Sequence, residues 1–181
     1  IQYLTPLLYN KNSKIKKEAI KSLSKIENEQ AIIPLINLLK DPDLEIKKEV
    51  VKVLSENNKF VKIDLLINLL KDTDAGARGG AAYVLASINN PKVAEPLAES
   101  LKNKDLAVVA GGYQYYIKLG KTGSEEILIE TLDNYPITNL AIDFIYCGNK
   151  KLETAGKKWL TENMFDISSI QNSGSIKWGG K

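Results

Sequence analysis

The sequence predicts an all-α fold, a right-handed solenoid of about five helix pairs with a terminal helix and a short carboxyl-terminal tail. Three observations carry this. First, apolar residues recur in register. One column reads Leu4, Leu35, Leu66, Leu97, Leu128 and a second reads Leu8, Leu39, Leu70, Leu101, Leu132, each at a step of 31 residues. A third column reads Leu23, Leu54, Leu85, Tyr116. Second, a polar column, Asn12, Asp43, Asp74, Asp105, keeps the same step. Third, within each unit the apolar residues follow steps of three and four, the period of an amphipathic helix. A fixed period near 30 residues means that each unit buries its apolar face only against its neighbours.

The units follow in order. The first contains Leu4, Leu7 and Leu8, with Pro6 among them, and then Ile15, Ala19, Ile20, Leu23 and Ile26 on one stripe. A proline inside a helix removes a hydrogen bond and clashes with the preceding turn, so the first helix is expected to start late or kink. In the second unit Pro34 is expected in the first helical turn, where its missing N–H costs nothing. Asp41-Pro42 ends that helix. Asp43 caps the next, its carboxylate accepting from free N–H groups of the first turn. The whole Asn12/Asp43/Asp74/Asp105 column reads the same way, as caps and not as catalytic acids.

The third and fourth units place glycines inside helices, at Gly79-Gly80 and Gly111-Gly112. Each costs about 1 kcal/mol relative to alanine. Gly112 falls in the core column with Ala19, Val50 and Ala81, where a small residue lets helices approach. Gly79, Gly80 and Gly111 lie off the apolar stripe, which points to a surface role. In the fifth unit the turn between helices loses three residues around Pro136, and the step becomes 28: Leu85 and Tyr116 continue as Phe144, and Leu119 as Cys147. Cys147 is therefore a core position, where an apolar setting makes a thiol inert. A last helix carries Leu152, Ala155, Trp159 and Leu160. The solenoid is assigned to residues 1–163 and the tail to 164–181. In the tail Phe165 and Ile167 alternate, Gln171-Asn172-Ser173-Gly174 reads as a turn, and Ile176 and Trp178 alternate again. A hairpin capping the last repeat is expected, with disorder as the alternative.

Composition narrows function. The chain has 181 residues, 44% hydrophobic and 26% charged, and no apolar run near the ~18 residues of a membrane span. Ile1 lies inside the repeat pattern without a preceding Met, so a trimmed or processed chain is expected, with any targeting signal upstream. There is one Cys and no His. No His-based catalytic set, no His- or Cys-rich metal site and no intrachain disulfide is available, and no cofactor is expected. The net charge of +3 resides in the first 60 residues, which hold 11 Lys against 8 Asp and Glu.

The unit as a whole resembles HEAT repeats: a proline in the first helix, an aspartate turn, and paired small residues in the second helix. It is most similar to the short PBS-lyase-type HEAT-like repeats, over roughly residues 1–160. That resemblance implies a scaffold, and more remotely a phycobilin-lyase-like handler of chromophores. The arginine that such repeats place before the paired small residues is matched by Arg78 only. Lys16 and Lys47 stand in elsewhere, and Val109 breaks the pattern. The His–Glu metal pairs of the deoxyhypusine hydroxylase branch have no counterpart.

In solenoids the second helices usually line the binding face. Their exposed ridges read Lys21, Lys52, Tyr83, Gln114, Ile142; then Ser24, Ser55, Ala86, Ile117, Ile145; then Lys17, Lys48, Gly79, Ala110. An apolar patch beside a cationic rim points to a groove for a protein or peptide with an acidic segment. Its expected residues are Arg78, Gly79, Gly80, Tyr83, Gly111, Gln114, Ile117 and Ile142, with Lys17, Lys21, Lys48 and Lys52 as the basic rim. Nucleic acid is the alternative partner for the lysine-rich first two units. Glu18 and Glu49 among those lysines, and the scarcity of aromatics for base stacking, weigh against it.

Overall fold

The computed structural model describes residues 1–88, 90–170 and 176–180. Five helical units stack in chain order. The first pairs a 3₁₀ turn, Thr5–Tyr9, with α1 (Ser13–Ser24). The second pairs α2 (Glu29–Asn37) with α3 (Leu44–Glu56), and the third α4 (Ile63–Leu69) with α5 (Ala75–Ser87). The fourth pairs α6 (Ala94–Lys102) with α7 (Leu106–Leu119), and the fifth α8 (Glu125–Asn134) with α9 (Thr138–Tyr146). The terminal helix is α10 (Lys150–Glu162). No strand occurs among the described residues.

The apolar columns form one continuous core. Leu35, Leu39, Leu54, Leu66, Leu85, Leu97 and Leu128 are fully buried, as are Tyr116 and Phe144 in the third column. The Tyr116 hydroxyl donates to the Leu97 carbonyl at 2.8 Å, so the buried phenol has its partner. Cys147 is buried, as its column requires, and burial pushes its thiol pKa up. The polar column caps as expected. Asn12, Asp43, Asp74 and Asp105 accept from the backbone N–H groups of Lys14, Glu45, Ala77 and Val108.

The prolines behave differently from each other. The first helix is only the short 3₁₀ segment Thr5–Tyr9, and Pro6 sits in its first turn, not late in a longer helix. Pro34 is not in a first turn: α2 begins five residues earlier, capped by the Asn28 side chain at 2.6 Å from Gln30 N. Asn28 is the stronger start signal. The Gln30 carbonyl, which the ring at Pro34 leaves without an N–H, belongs to an exposed residue where solvent serves it.

The tail also departs from expectation. The stretches expected to pair as strands contain 3₁₀ turns, Ile167–Ser169 and Trp178–Gly180; the expected hairpin turn lies outside the described residues. The tail lies against the carboxyl ends of α7 and α9. Trp178 N–H donates to the Cys147 carbonyl and the Tyr146 hydroxyl to the Ile170 carbonyl, both at 2.8 Å. At the left-handed cap of α7, a Cβ on Gly120 would lie 2.4 Å from the Gly179 backbone, so the close approach requires glycine.

Candidate partner-binding groove

The outward faces of α3, α5 and α7 enclose a groove of ≈ 670 Å³. The aspartate caps start these helices at equivalent points, and the 31-residue step sets them side by side. The floor is apolar and low: Val51 from α3, Gly76, Gly79, Gly80 and Tyr83 from α5, and Ala107, Ala110 and Gly111 from α7. Leu44, Lys47, Lys48 and Lys52 stand on the α3 side, and Tyr135 and Ile137 from the α8–α9 turn form the far wall.

Six of the twelve residues expected at the site line this groove: Gly79, Gly80, Tyr83, Gly111, Lys48 and Lys52. Tyr83 is 43% exposed, a large apolar ring presented to solvent. Gln114 is exposed on the next turn of the same ridge, outside the groove lining, and donates to the Tyr113 hydroxyl at 3.3 Å. Lys17 and Lys21 lie on α1, beyond the groove. Ile142 is half-buried against the core. Ile117 is fully buried and is no part of an exposed floor. The tail docks on that end of α7, and α5, α6 and α8 also pack on the helix, so little of its carboxyl half faces solvent.

The glycines need a larger correction. A Cβ on Gly111 would lie 1.9 Å from the Gly79 carbonyl oxygen, and one on Gly79 would lie 2.9 Å from the Ala107 carbonyl. These glycines are occupied by the contact between α5 and α7, two helices whose backbones touch. They shape the groove by letting the helices close up, and leave no gap for a partner's backbone. Gly80 is less tightly held: a Cβ there would meet side-chain methyls of Leu39 and Val51 at 3.1 and 3.2 Å and no backbone.

Arg78 is also taken. Its Nε donates to Asp105 Oδ2 at 2.8 Å, and its Nη1 donates to the Asp72 and Thr73 carbonyls. The same step recurs one unit earlier, where Lys47 pairs with Asp74 at 3.0 Å. Lys16 pairs with Asp41 at 2.5 Å, and Ser13 donates to Asp43. The basic column Lys16, Lys47, Arg78 therefore forms a ladder, each member tying its helix to the aspartate turn of the next unit. Val109 ends the ladder where the shortened turn at Pro136 supplies no aspartate. The Asp74 carboxyl is held below the usual carboxylate range, first by the Ala77 N–H and then by Lys47.

Among the rim lysines, Lys48 contacts Glu45 at 3.0 Å and Lys21 contacts Glu18 at 3.3 Å, both along their own helices. The carboxyl of Glu45 is lowered chiefly by Lys48. Lys17 approaches Glu45 at 3.9 Å. Lys52 is exposed, and no salt bridge forms on it among the described residues. Beyond the groove, Asp143 on α9 is half-buried; burial raises its pKa, and the Tyr113 hydroxyl of α7 lowers it by less. Burial likewise raises the Tyr113 phenol.

Tyr135, Ile137, Val51 and Ala107 line the groove without having been expected there. The missing three residues at Pro136 were the readable signal for the first two, because a shortened turn has to fold back across the preceding helix. Among the described residues no cluster of His, Cys, Asp or Glu is suited to a metal ion, and no helix is long and apolar enough to cross a membrane.

The model for HEAT repeats matches residues 1–59 and 34–118. The chain belongs to the HEAT-repeat family. The match is to HEAT repeats in general; the narrower PBS-lyase kinship is not part of it. HEAT-repeat solenoids are typically protein-interaction scaffolds. Among solved structures, a designed armadillo repeat protein in complex with the peptide (KR)4 is 20% identical, at a TM-score of 0.40 over 87% of this chain and 79% of that one. A second designed armadillo repeat protein is 17% identical, at 0.37 over 88% and 98%. A computationally designed armadillo protein for modular peptide recognition is 19% identical, at 0.36 over 90% and 81%. Superpositions this loose support no further conclusion about the HEAT-repeat chain. Comparison with curated proteins gives no match.

Proposed function

We propose that this HEAT-repeat chain is a non-catalytic scaffold that holds a protein or peptide segment in the groove over α3, α5 and α7, and that the rim favours an acidic segment. One observation carries the reading: an apolar floor with an exposed tyrosine at its centre lies directly beside Lys48 and Lys52. Apolar area drives association, and a cationic edge steers and selects an acidic partner. The residues assigned to contact are Tyr83, Val51, Tyr135 and Ile137 on the floor and far wall, with Lys48 and Lys52 on the rim. Arg78 and the glycines hold the groove's shape.

The nucleic-acid alternative is weakened by pairing. Lys16, Lys40 and Lys47 are tied to aspartates across the joints between units, so fewer cations remain to neutralise phosphates.

The test uses a ligand selected on the whole chain from a displayed peptide library. Tyr83→Ala should weaken its binding by about tenfold or more, as truncation of a central aromatic does. Lys52→Ala should mainly slow association and reduce its salt dependence. Lys71→Ala, outside the groove lining, should change nothing. Equal, unchanged affinities for Tyr83→Ala and Lys71→Ala would exclude the groove.

A further inference from the structure

The direct stacking of second helices stops at the fourth unit. α3 packs on α5 and α5 on α7, but α7 makes little direct contact with α9. α9 packs instead on α10, where a Cβ on Gly156 would lie 2.5 Å from the Ala141 carbonyl oxygen. Residues 176–180 of the tail bridge the carboxyl ends of α7 and α9. Their contacts are those of a bound peptide. Trp178 N–H donates to the Cys147 carbonyl at 2.8 Å, and Lys177 Nζ donates to the Tyr146 carbonyl at 2.9 Å. Carbonyls in the last turn of a helix take donors from outside it, and the negative end of the helix dipole favours a cation there. The Trp178 ring packs against the core. Gly179 rests on the backbone of Gly120, and Gly179 and Gly180 both have φ +67, a region that favours glycine. The outward ridge of the second helices turns apolar at this end, from Ser24, Ser55 and Ala86 to Ile117 and Ile145. The hold is nonetheless slight. Lys177, Gly179 and Gly180 are exposed, and Trp178 is only half-buried. A segment with so few buried contacts opens locally, at far less cost than global unfolding.

We propose that the junction of α7 and α9 is a peptide-docking site, separate from the α3–α5–α7 groove, that the tail is its resident occupant, and that an extended segment of the same chemistry on a partner protein displaces the tail. That chemistry is a basic residue, then an aromatic one, then two glycines. The basic residue and the following N–H serve the α9 carbonyls. The ring covers the apolar end of the ridge. The glycines make the left-handed turn over Gly120. The segment is cationic, opposite in charge to the one that the Lys48–Lys52 rim favours, so the two sites take different ligands.

The probe is a peptide of residues 176–180, Ile-Lys-Trp-Gly-Gly, acetylated and amidated at its ends. The whole chain carrying Trp178→Ala should bind it saturably. The parent should bind it about tenfold more weakly, because a tethered tail competes at an effective concentration on the order of millimolar. Peptides with Lys177→Ala or Trp178→Ala should bind the variant chain more weakly than the original peptide does. In the parent alone, the Trp178 amide should exchange at least about a hundredfold faster than that of Tyr116 in the core of α7. No binding to the Trp178→Ala chain, or equal binding to it and to the parent, would overturn the proposal. So would a Trp178 amide that exchanges only through global unfolding. A Trp178→Ala chain that fails to fold would overturn it equally, since the tail would then be an obligatory part of the core.

Discussion

Gly111→Ala separates two readings of the glycines by sign. If Gly111 faced a partner, alanine would stabilise the free chain by up to about 1 kcal/mol through helix propensity. In the structure the new methyl would start 1.9 Å from the Gly79 carbonyl oxygen and 2.7 Å from its carbon. A relaxed carbon–oxygen contact needs about 3.3 Å, so α5 and α7 must part by roughly 1.4 Å. Both neighbours are backbone, and no rotamer change relieves the clash. Overpacking of this kind costs about 1–3 kcal/mol, and parting the helices also weakens the dispersion contacts on both sides. The net expectation is a loss of roughly 2 kcal/mol, seen as a Tm lower by about 4–8 °C. Gly76→Ala is the matched comparison, because its Cβ would meet only side-chain ends, the Lys47 Nζ at 2.7 Å and the Asp74 Oδ1 at 3.1 Å, where the lysine tip can shift, and no backbone. It should lie within about 0.5 kcal/mol of the parent. Thermal melts of the two variants decide the matter. A Gly111→Ala chain as stable as the parent, or more so, would refute the backbone contact.

Other predictions follow from the core, the ladder and the caps. Leu85→Ala, at a fully buried site, should cost about 2–5 kcal/mol in urea melts, and a loss far below 1 kcal/mol would mean that the column is not the core. Arg78→Ala and Asp105→Ala should show a positive coupling of about 0.5–1 kcal/mol in a double-mutant cycle, because each holds the other across a joint. Asp105→Ala should cost more on its own, since it also removes the cap of α7. The Asp74 carboxyl is depressed in the folded state, so its contribution is present above the ordinary carboxylate pKa and lost as pH falls through the folded value. Asp74→Asn should therefore be destabilising at about pH 7, and the difference from the parent should shrink by about pH 3 in melts at the two conditions.

The stacking was legible because it rests on periodic chemistry. Leucine columns and aspartate caps depend on local pattern and recur, so each unit corroborates the next. The groove was half legible. Ridge arithmetic placed Tyr83, Lys48 and Lys52 on the outward face, since a helix's own period determines which side chains share a side. It failed where a neighbour decides exposure. Ile117 sits on the same ridge as Ser55, yet the tail and flanking helices cover that end of α7. Gly79 and Gly111 look free on helical wheels, because a wheel does not show how closely the next helix approaches. Arg78 looked available because its acceptor, Asp105, lies 27 residues away in the next unit's turn. Asp105 had been given one role, as a cap, and it has two.

The measurement that bears most directly on the scaffold reading is an amide-exchange footprint of the whole chain with and without its selected peptide. Binding in the groove should slow exchange on α3, α5 and the first turns of α7, with Tyr83 at the centre, and leave α4 and α6 unchanged. Protection confined to α4 and α6, or to the lysines of α1, would contradict it.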